Sequence, residues 1–258
     1  MLSYNKVNKV TLVIFLVLLI TNYWIDLPIW LYFLLAFTWF NVTALGSSFI
    51  QWNYHFTSLN SNKSITKKQI AITFDDGPNP EFTPQVLNLL KKYNAKATFF
   101  CIGQHINTYP EIVQDCIKQG HTIGNHTYSH ANTFGFFETK KVISELKQTN
   151  AIVKEKIGVT LQLYRPAFGV TNPRIKKALQ VTGLQSIGWN VRSLDTTSRN
   201  VNTILKRITT GLSPGDVILL HDTSAKTILV LEQLLLFLQQ QNLESVTIDS
   251  LFKIKAYA

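Results

Sequence analysis

Carboxylates are scarce in this chain. Fifteen Asp and Glu residues stand against 25 Lys and Arg, and charged residues of both signs fill only 16% of its 258 positions. That share is low for a soluble domain. Cysteine is scarcer still. Cys101 and Cys116 form no Cys-x-x-Cys pair, which argues against a disulfide scaffold and a thiolate metal site. Both lie in apolar patterns and read as small buried residues. There is no internal repeat and no low-complexity tract. The basic residues behind the net charge of +10 are scattered, and no nucleic-acid-reading motif accompanies them, so no nucleic-acid partner is expected.

The missing charge has an address. Residues 10–25, "VTLVIFLVLLITNYWI", and 27–45, "LPIWLYFLLAFTWFNVTAL", carry none, and only Asp26 separates them. Each approaches the roughly 20 apolar residues that cross a bilayer core. Trp24, Trp30 and Trp39 suit a membrane interface. The apolar stretch runs far beyond a signal-peptide core, and no small-x-small cleavage site follows it. Residues 1–46 therefore read as a hairpin of two transmembrane helices, making the protein integral to the cell membrane. Lys6 and Lys9 precede the first span, Lys63, Lys67 and Lys68 follow the second, and the loop has no cation. By the positive-inside rule these few charges place both ends and the main domain in the cytoplasm. A basic surface beside a membrane also suits anionic lipid head groups.

Residues 47–68 are polar and patternless and read as a linker. From residue 69 to 258 short apolar runs alternate with amphipathic stretches. Strands are expected near "IAITF", "ATFFC", "HTIGN", "LQLYR", "LQSIGW", "DVILLH" and "SVTID". Helices are expected near 82–93, 110–119, 138–156, 173–182, 201–211 and 225–241, with Pro110 and Pro173 opening two of them and Gly120 closing one. Such alternation predicts a parallel α/β sheet with crossover helices. The pattern alone leaves a closed barrel and an open sheet both available.

The polar residues fall where strands end. Asp75 and Asp76 follow the first strand, His126 and His130 the third. Arg165 ends the fourth, Asp195 comes soon after the fifth, and His221 ends the sixth. In a parallel barrel that end is where active sites are built. Taken singly, each has a bland reading: Asp-Asp-Gly-Pro is a good turn sequence, and a His at a strand end is usually just hydrogen-bonded. Gathered on one rim they describe a site. Two His and one Asp supply three ligands and leave open positions, as a catalytic divalent metal requires. A neighbouring carboxylate can take a proton from water that the metal has acidified, and a further His can protonate a leaving group. The metal's charge would also explain why two aspartates tolerate each other.

In order along the chain, "TFDDGP", "HTYSH", "RPAFG", "WNVRSLDT" and "LLH" resemble the polysaccharide deacetylase family, also called the NodB homology domain (carbohydrate esterase family 4). The resemblance implies a distorted (β/α)7 barrel. It implies that Asp76, His126 and His130 bind a divalent metal, commonly zinc, and that Asp75 is the general base, oriented by Arg165. His221 would be the general acid, polarised by Asp195. The backbone N–H of Phe168 would stabilise the oxyanion, Thr127 would shape the metal-binding loop, and Trp189 and Leu219 would line the acetyl pocket. Two departures stand out. An Arg-Pro-Pro-Tyr-like motif has become Arg165-Pro166-Ala167-Phe168, and the Asp-Trp pair has become Asp195-Thr196, which removes an aromatic wall.

The implied activity is hydrolysis of acetyl groups from N-acetylated amino sugars of a glycan, with release of acetate. A lipid-linked sugar precursor is the alternative substrate for deacetylation or deformylation. A silent carbohydrate-binding module is disfavoured because neither the ligands nor the base is lost. Nothing in the sequence fixes an oligomeric state.

Overall fold

The computed structural model describes residues 2–258. Two helices open it, α1 (Tyr4–Trp24) and α2 (Trp30–Ser48). They pack antiparallel. Trp39 Nε1 donates to Asn8 Oδ1 at 2.8 Å, and the Tyr32 hydroxyl donates to the Leu18 carbonyl at 3.2 Å. Gly46 is the one buried residue in the pair, so nearly all their apolar surface faces outward. By length and composition both are able to cross a membrane.

The rest of the chain runs β1 (Gln69–Asp75), α3 (Thr83–Lys92), β2 (Ala97–Cys101), α4 (Gly103–Thr108), α5 (Pro110–Lys118), β3 (Thr122–Asn125), α6 (Thr139–Ile157), β4 (Leu163–Tyr164), α7 (Pro173–Thr182), β5 (Gln185–Ser186), β6 (Val191–Arg192), α8 (Val201–Thr209), β7 (Val217–His221), α9 (Ala225–Gln240), β8 (Glu244–Ser245) and α10 (Ile248–Phe252). All strand pairs are parallel, in the order β5-β4-β3-β2-β1-β7-β6, with β8 beside the start of β1. This is the expected parallel α/β barrel in an open form, because β5 and β6 do not pair with each other.

Side-chain alternation sorts each strand into two faces. Ile70, Ile72 and Phe74 of β1 join Ile218 and Leu220 of β7 in the core beneath the helices. Ala71, Val217 and Leu219 join Phe100, Leu163, Ile187 and Trp189 in a second core. Thr73 and Asp75 share the parity of Ala71, and His221 shares that of Val217 and Leu219. Asp75 and His221 are register partners on adjacent strands.

Several elements differ from expectation. The "LQSIGW" run is strand only at Gln185–Ser186, and a short β6 follows it. "SVTID" yields the end of β8 and the start of α10, because the buried Ile248 and Leu251 have helical spacing. Helix α4, "GQHINT", carried no usable periodicity. Residues 47–68 are also more ordered than their texture predicts. Leu59 N–H donates to the Ser186 carbonyl at 3.0 Å and its carbonyl accepts from Gly188 at 2.9 Å, while Asn62 N–H donates to the Gly215 carbonyl at 2.8 Å. This segment therefore fills the opening between β5 and the start of β7. Its own Ile50 and Tyr54 are buried.

Candidate active site

Period two in β1 sends Asp75 to the same face as Thr73. The next residue, Asp76, takes a left-handed backbone, φ 74°, which leaves the strand and turns its carboxylate in a new direction. His105 Nδ1 lies 2.9 Å from the Asp76 carbonyl and holds the turn from α4. This is how two adjacent aspartates reach different tasks.

His126 and His130 follow β3. Thr127 (φ 67°) and His130 (φ 46°) are also left-handed, so the loop is a tight coil and not a helical turn. Their i, i+4 spacing still brings the rings together, with centroids 4.9 Å apart. Buried Glu145 in α6 supports the loop: its Oε2 accepts from the backbone N–H of Tyr128 at 3.0 Å and of Ser129 at 2.8 Å. Asn125 Oδ1 accepts from Thr127 N–H at 2.9 Å. His126 Nδ1 donates to the Arg165 carbonyl at 2.9 Å, which fixes the ring and leaves Nε2 as the free donor atom.

One atom each of Asp76, His126 and His130 lies within 4.8 Å of the others. Asp76 Oδ1 is 3.4 Å from both imidazole Nε2 atoms, and it is buried without a hydrogen-bond partner among the described residues. An orphaned carboxylate oxygen facing two aligned imidazoles fits a divalent cation. The local electrostatics agree. Burial disfavours the Asp76 carboxylate, yet the nearby His126, with the charges of His130 and His221, holds its pKa well below the usual range. Burial, with the charge of His126, lowers the His130 pKa to about 4, which keeps the imidazole neutral at physiological pH, as metal ligation requires.

Arg165, at the end of β4, is fully buried, with its guanidinium 4.1 Å from the Phe100 ring centroid. Nη1 donates to Asp75 Oδ1 and to the Thr73 hydroxyl, both at 2.7 Å, and Nη2 donates to the Gly188 carbonyl at 2.8 Å. Asp75 Oδ2 is left facing His126 Nε2 at 3.8 Å.

His221 Nδ1 donates to Asp195 Oδ1 at 2.9 Å, and its backbone N–H donates to Oδ2 at 2.8 Å. Ser193 and Thr227 hydroxyls complete the Asp195 shell at 2.8 and 3.0 Å. Burial opposes the imidazolium, but the bond and charge of Asp195, helped by Asp75 and Asp76, raise the His221 pKa to about 9.

Asp75, Asp76, His126, His130 and His221 line a cleft of about 290 Å³, with Arg165 and Asp195 behind it. Phe168, Trp189 and Leu219 line it too. Phe168 is left-handed (φ 58°), and its ring lies 4.5 Å from that of His130. Gly169 (φ +69°) has Trp189 against it, so neither the backbone angle nor the space admits a side chain. Where the aromatic wall is missing, Arg192, Leu194, Thr196 and Thr197 form the surface.

Sequence reasoning missed Glu145, Ser193, Thr227, His105 and Asp222. Glu145 left a readable signal: it sits among Val142, Leu146, Thr149 and Val153 on the buried stripe of α6, where a solvated carboxylate does not belong. Asp222 is buried behind the Asp-Asp-Gly-Pro turn. It accepts from the Thr83 hydroxyl, and burial raises its pKa to about 7.

An open parallel barrel carrying an Asp-His-His group able to hold a cation, between a carboxylate and an imidazole, has the layout of a metallohydrolase-type site. Comparison with known proteins gives the family. Residues 62–187 match the family model described as polysaccharide deacetylase. The chain is 35% identical over 197 residues to a peptidoglycan-N-acetylglucosamine deacetylase of Bacillus cereus, covering 73% of this chain and 90% of that protein. It is 34% identical over 190 residues to the peptidoglycan-N-acetylglucosamine deacetylase PgdA of Listeria monocytogenes, covering 74% of this chain but 40% of that longer relative. Among solved structures, peptidoglycan deacetylase PdaC from Bacillus subtilis superposes with a TM-score of 0.68 at 32% identity, covering 73% of this chain and 91% of that one. The chain belongs to the polysaccharide deacetylase family.

Proposed function

We propose that this protein is a membrane-anchored, metal-dependent deacetylase that hydrolyses acetyl groups on the N-acetylated amino sugars of a glycan, releasing acetate and a free amine. The observation that carries the reading is the position of Asp75 and His221, register partners on β1 and β7, beside the Asp76–His126–His130 group. The polymer named for its relatives, peptidoglycan, is the first substrate to test.

Asp76, His126 and His130 would hold the ion, and zinc fits a set of two imidazoles and one carboxylate. When bound, the ion supplies Lewis acidity toward water and the acetyl carbonyl. Asp75 accepts the proton of the attacking water at Oδ2, because Arg165 already occupies Oδ1. Water oxygen bonds to the carbonyl carbon as the carbonyl π pair moves to oxygen, where the Phe168 backbone N–H donates to the developing charge. The C–N bond then breaks, and His221 gives its Nε2 proton to the departing nitrogen, which leaves as an amine. Asp195 keeps His221 protonated until that moment. Trp189 and Leu219 enclose the acetyl methyl. Acetate release from an N-acetylated glycan tests this reading. Wild-type protein loaded with zinc that releases none, while folded, would reject it.

Residues 1–46 are proposed to anchor residues 69–258, with 47–68 joining them. One observation favours a membrane-borne substrate such as a lipid-linked sugar. The hairpin meets the domain beside the cleft: Thr171, three residues beyond Phe168, donates its N–H to the Ser47 carbonyl at 2.9 Å, and Tyr4 N–H donates to the Tyr54 carbonyl at 2.9 Å. Gly46 has no room for a side chain against the Tyr54 ring, so helix and domain are closely fitted.

A further inference from the structure

The cleft wall that lacks the aromatic residue is rich in unpaired positive charge. Arg192 lines the cleft itself. Arg207, from α8, donates Nε to the Arg192 carbonyl at 2.7 Å. Arg199 Nη1 donates to the hydroxyl of cleft-lining Thr197 at 3.0 Å, and Lys226, at the start of α9, donates Nζ to the Thr197 carbonyl. Among the described residues none of these four cations has a carboxylate partner, a state they share with most Lys and Arg residues of the chain; what sets them apart is that they gather around one wall of the cleft. The one acid in the segment 191–200, Asp195, is buried and committed to His221.

Solvated surface charge is the plain alternative, and it predicts side chains extended into water. Arg192, Arg199 and Arg207 are exposed, yet Arg199, Arg207 and Lys226 are each tied to a hydroxyl or carbonyl group of the wall. Arg192 makes no side-chain hydrogen bond among the described residues, so its planar fork is the free member of the cluster. A guanidinium in that state matches a carboxylate or phosphate, two oxygens to two N–H groups.

We propose that this wall is a subsite for an anionic oxygen group, carboxylate or phosphate, carried by the glycan next to the sugar that loses its acetyl group. The inference rests on the deacetylase reading and narrows its substrate to an anionic glycan. The group's source is either a carboxylate on a neighbouring sugar or the phosphate of a lipid-linked sugar.

The test uses full-length protein in detergent and three glycans of equal length: a neutral N-acetylglucosamine oligomer, one with a carboxylate on the adjacent sugar, and one ending in a 1-phosphate. Equilibrium binding and acetate release are both measured. Wild type should bind at least one anionic glycan more tightly than the neutral one, by about fivefold for a partly exposed pair. Added salt should erase the preference. Arg192→Gln combined with Arg199→Gln should bring the anionic-to-neutral ratio close to one, and Arg192→Lys alone should keep part of it. The preferred anion identifies the source. Equal wild-type affinity for all three glycans would overturn the proposal, as would equal fractional losses on neutral and anionic glycans in either variant. Absence of acetate from every glycan would reject the deacetylase reading instead, and the binding ratios would still decide the subsite.

Discussion

Arg165 Nη1 donates to Asp75 Oδ1 at 2.7 Å in a fully buried pair. The bond leaves one oxygen of Asp75 for chemistry and fixes where it points. Asp75→Asn keeps the size and removes the proton acceptor. The expected outcome is retained metal with a rate loss of roughly 10²–10⁴, the scale of a general base. Metal analysis with single-turnover kinetics checks it. Loss of metal as well would make Asp75 a ligand.

Arg165→Leu should be worse than a loss of activity. It strands a buried carboxylate, which costs about 3–5 kcal/mol where a buried pair is broken. A denaturant melt should show the loss. A stable, inactive variant would mean that water enters to solvate Asp75.

His126→Ala removes one of the three proposed metal ligands. Zinc affinity should fall by more than the roughly 10–100-fold typical of losing an outer partner. Glu145→Gln, which weakens the support under the His126–His130 loop, should fall inside that range. Calorimetric titration of both variants gives the order, and the reverse order would refute the ligand assignment.

His221 must be protonated to act as the acid, and its pKa is raised to about 9. Activity should therefore hold up through neutral pH and fall as pH rises through about 9. The same raised pKa means that the imidazolium stabilises the fold below the ordinary His value of about 6.5, and that this contribution disappears as pH climbs past the folded value. Asp195→Asn removes the charge behind the shift and should move the alkaline limb downward. His221→Ala should hurt amides far more than aryl acetate esters, whose phenolate leaves unprotonated. Equal losses on both would assign His221 to positioning.

Deleting residues 1–46 should release a soluble, folded domain, because all three buried hydrophobic clusters lie outside that segment. Fractionation after a high-salt wash decides. The truncated chain should melt somewhat lower, since Tyr54 loses the Tyr4 ring, 5.9 Å away in the intact chain. A C-terminal reporter active only in the cytoplasm tests the orientation expected from the lysines; silence there would put the domain outside and favour polymer over cytoplasmic precursor.

The sequence by itself determined the parallel α/β class, the two long apolar helices and which polar side chains stand at the strand ends that form the cleft. Each of those is a local pattern: alternation and helical periodicity in the core elements, an absence of charge over a bilayer's length, and short motifs at strand ends. Tertiary structure alone decided the rest. No pattern in "SSFIQWNYHFTSLNSNKS" tells that it fills the barrel's opening, because its backbone bonds go to Ser186, Gly188 and Gly215, far along the chain. No spacing separates Asp75 from Asp76, since one follows the strand's parity and the other departs by a left-handed φ of 74°. And the cations at 192, 199, 207 and 226 read as scattered until α8 and α9 fold against one wall, because charge adds up in space and not along the chain.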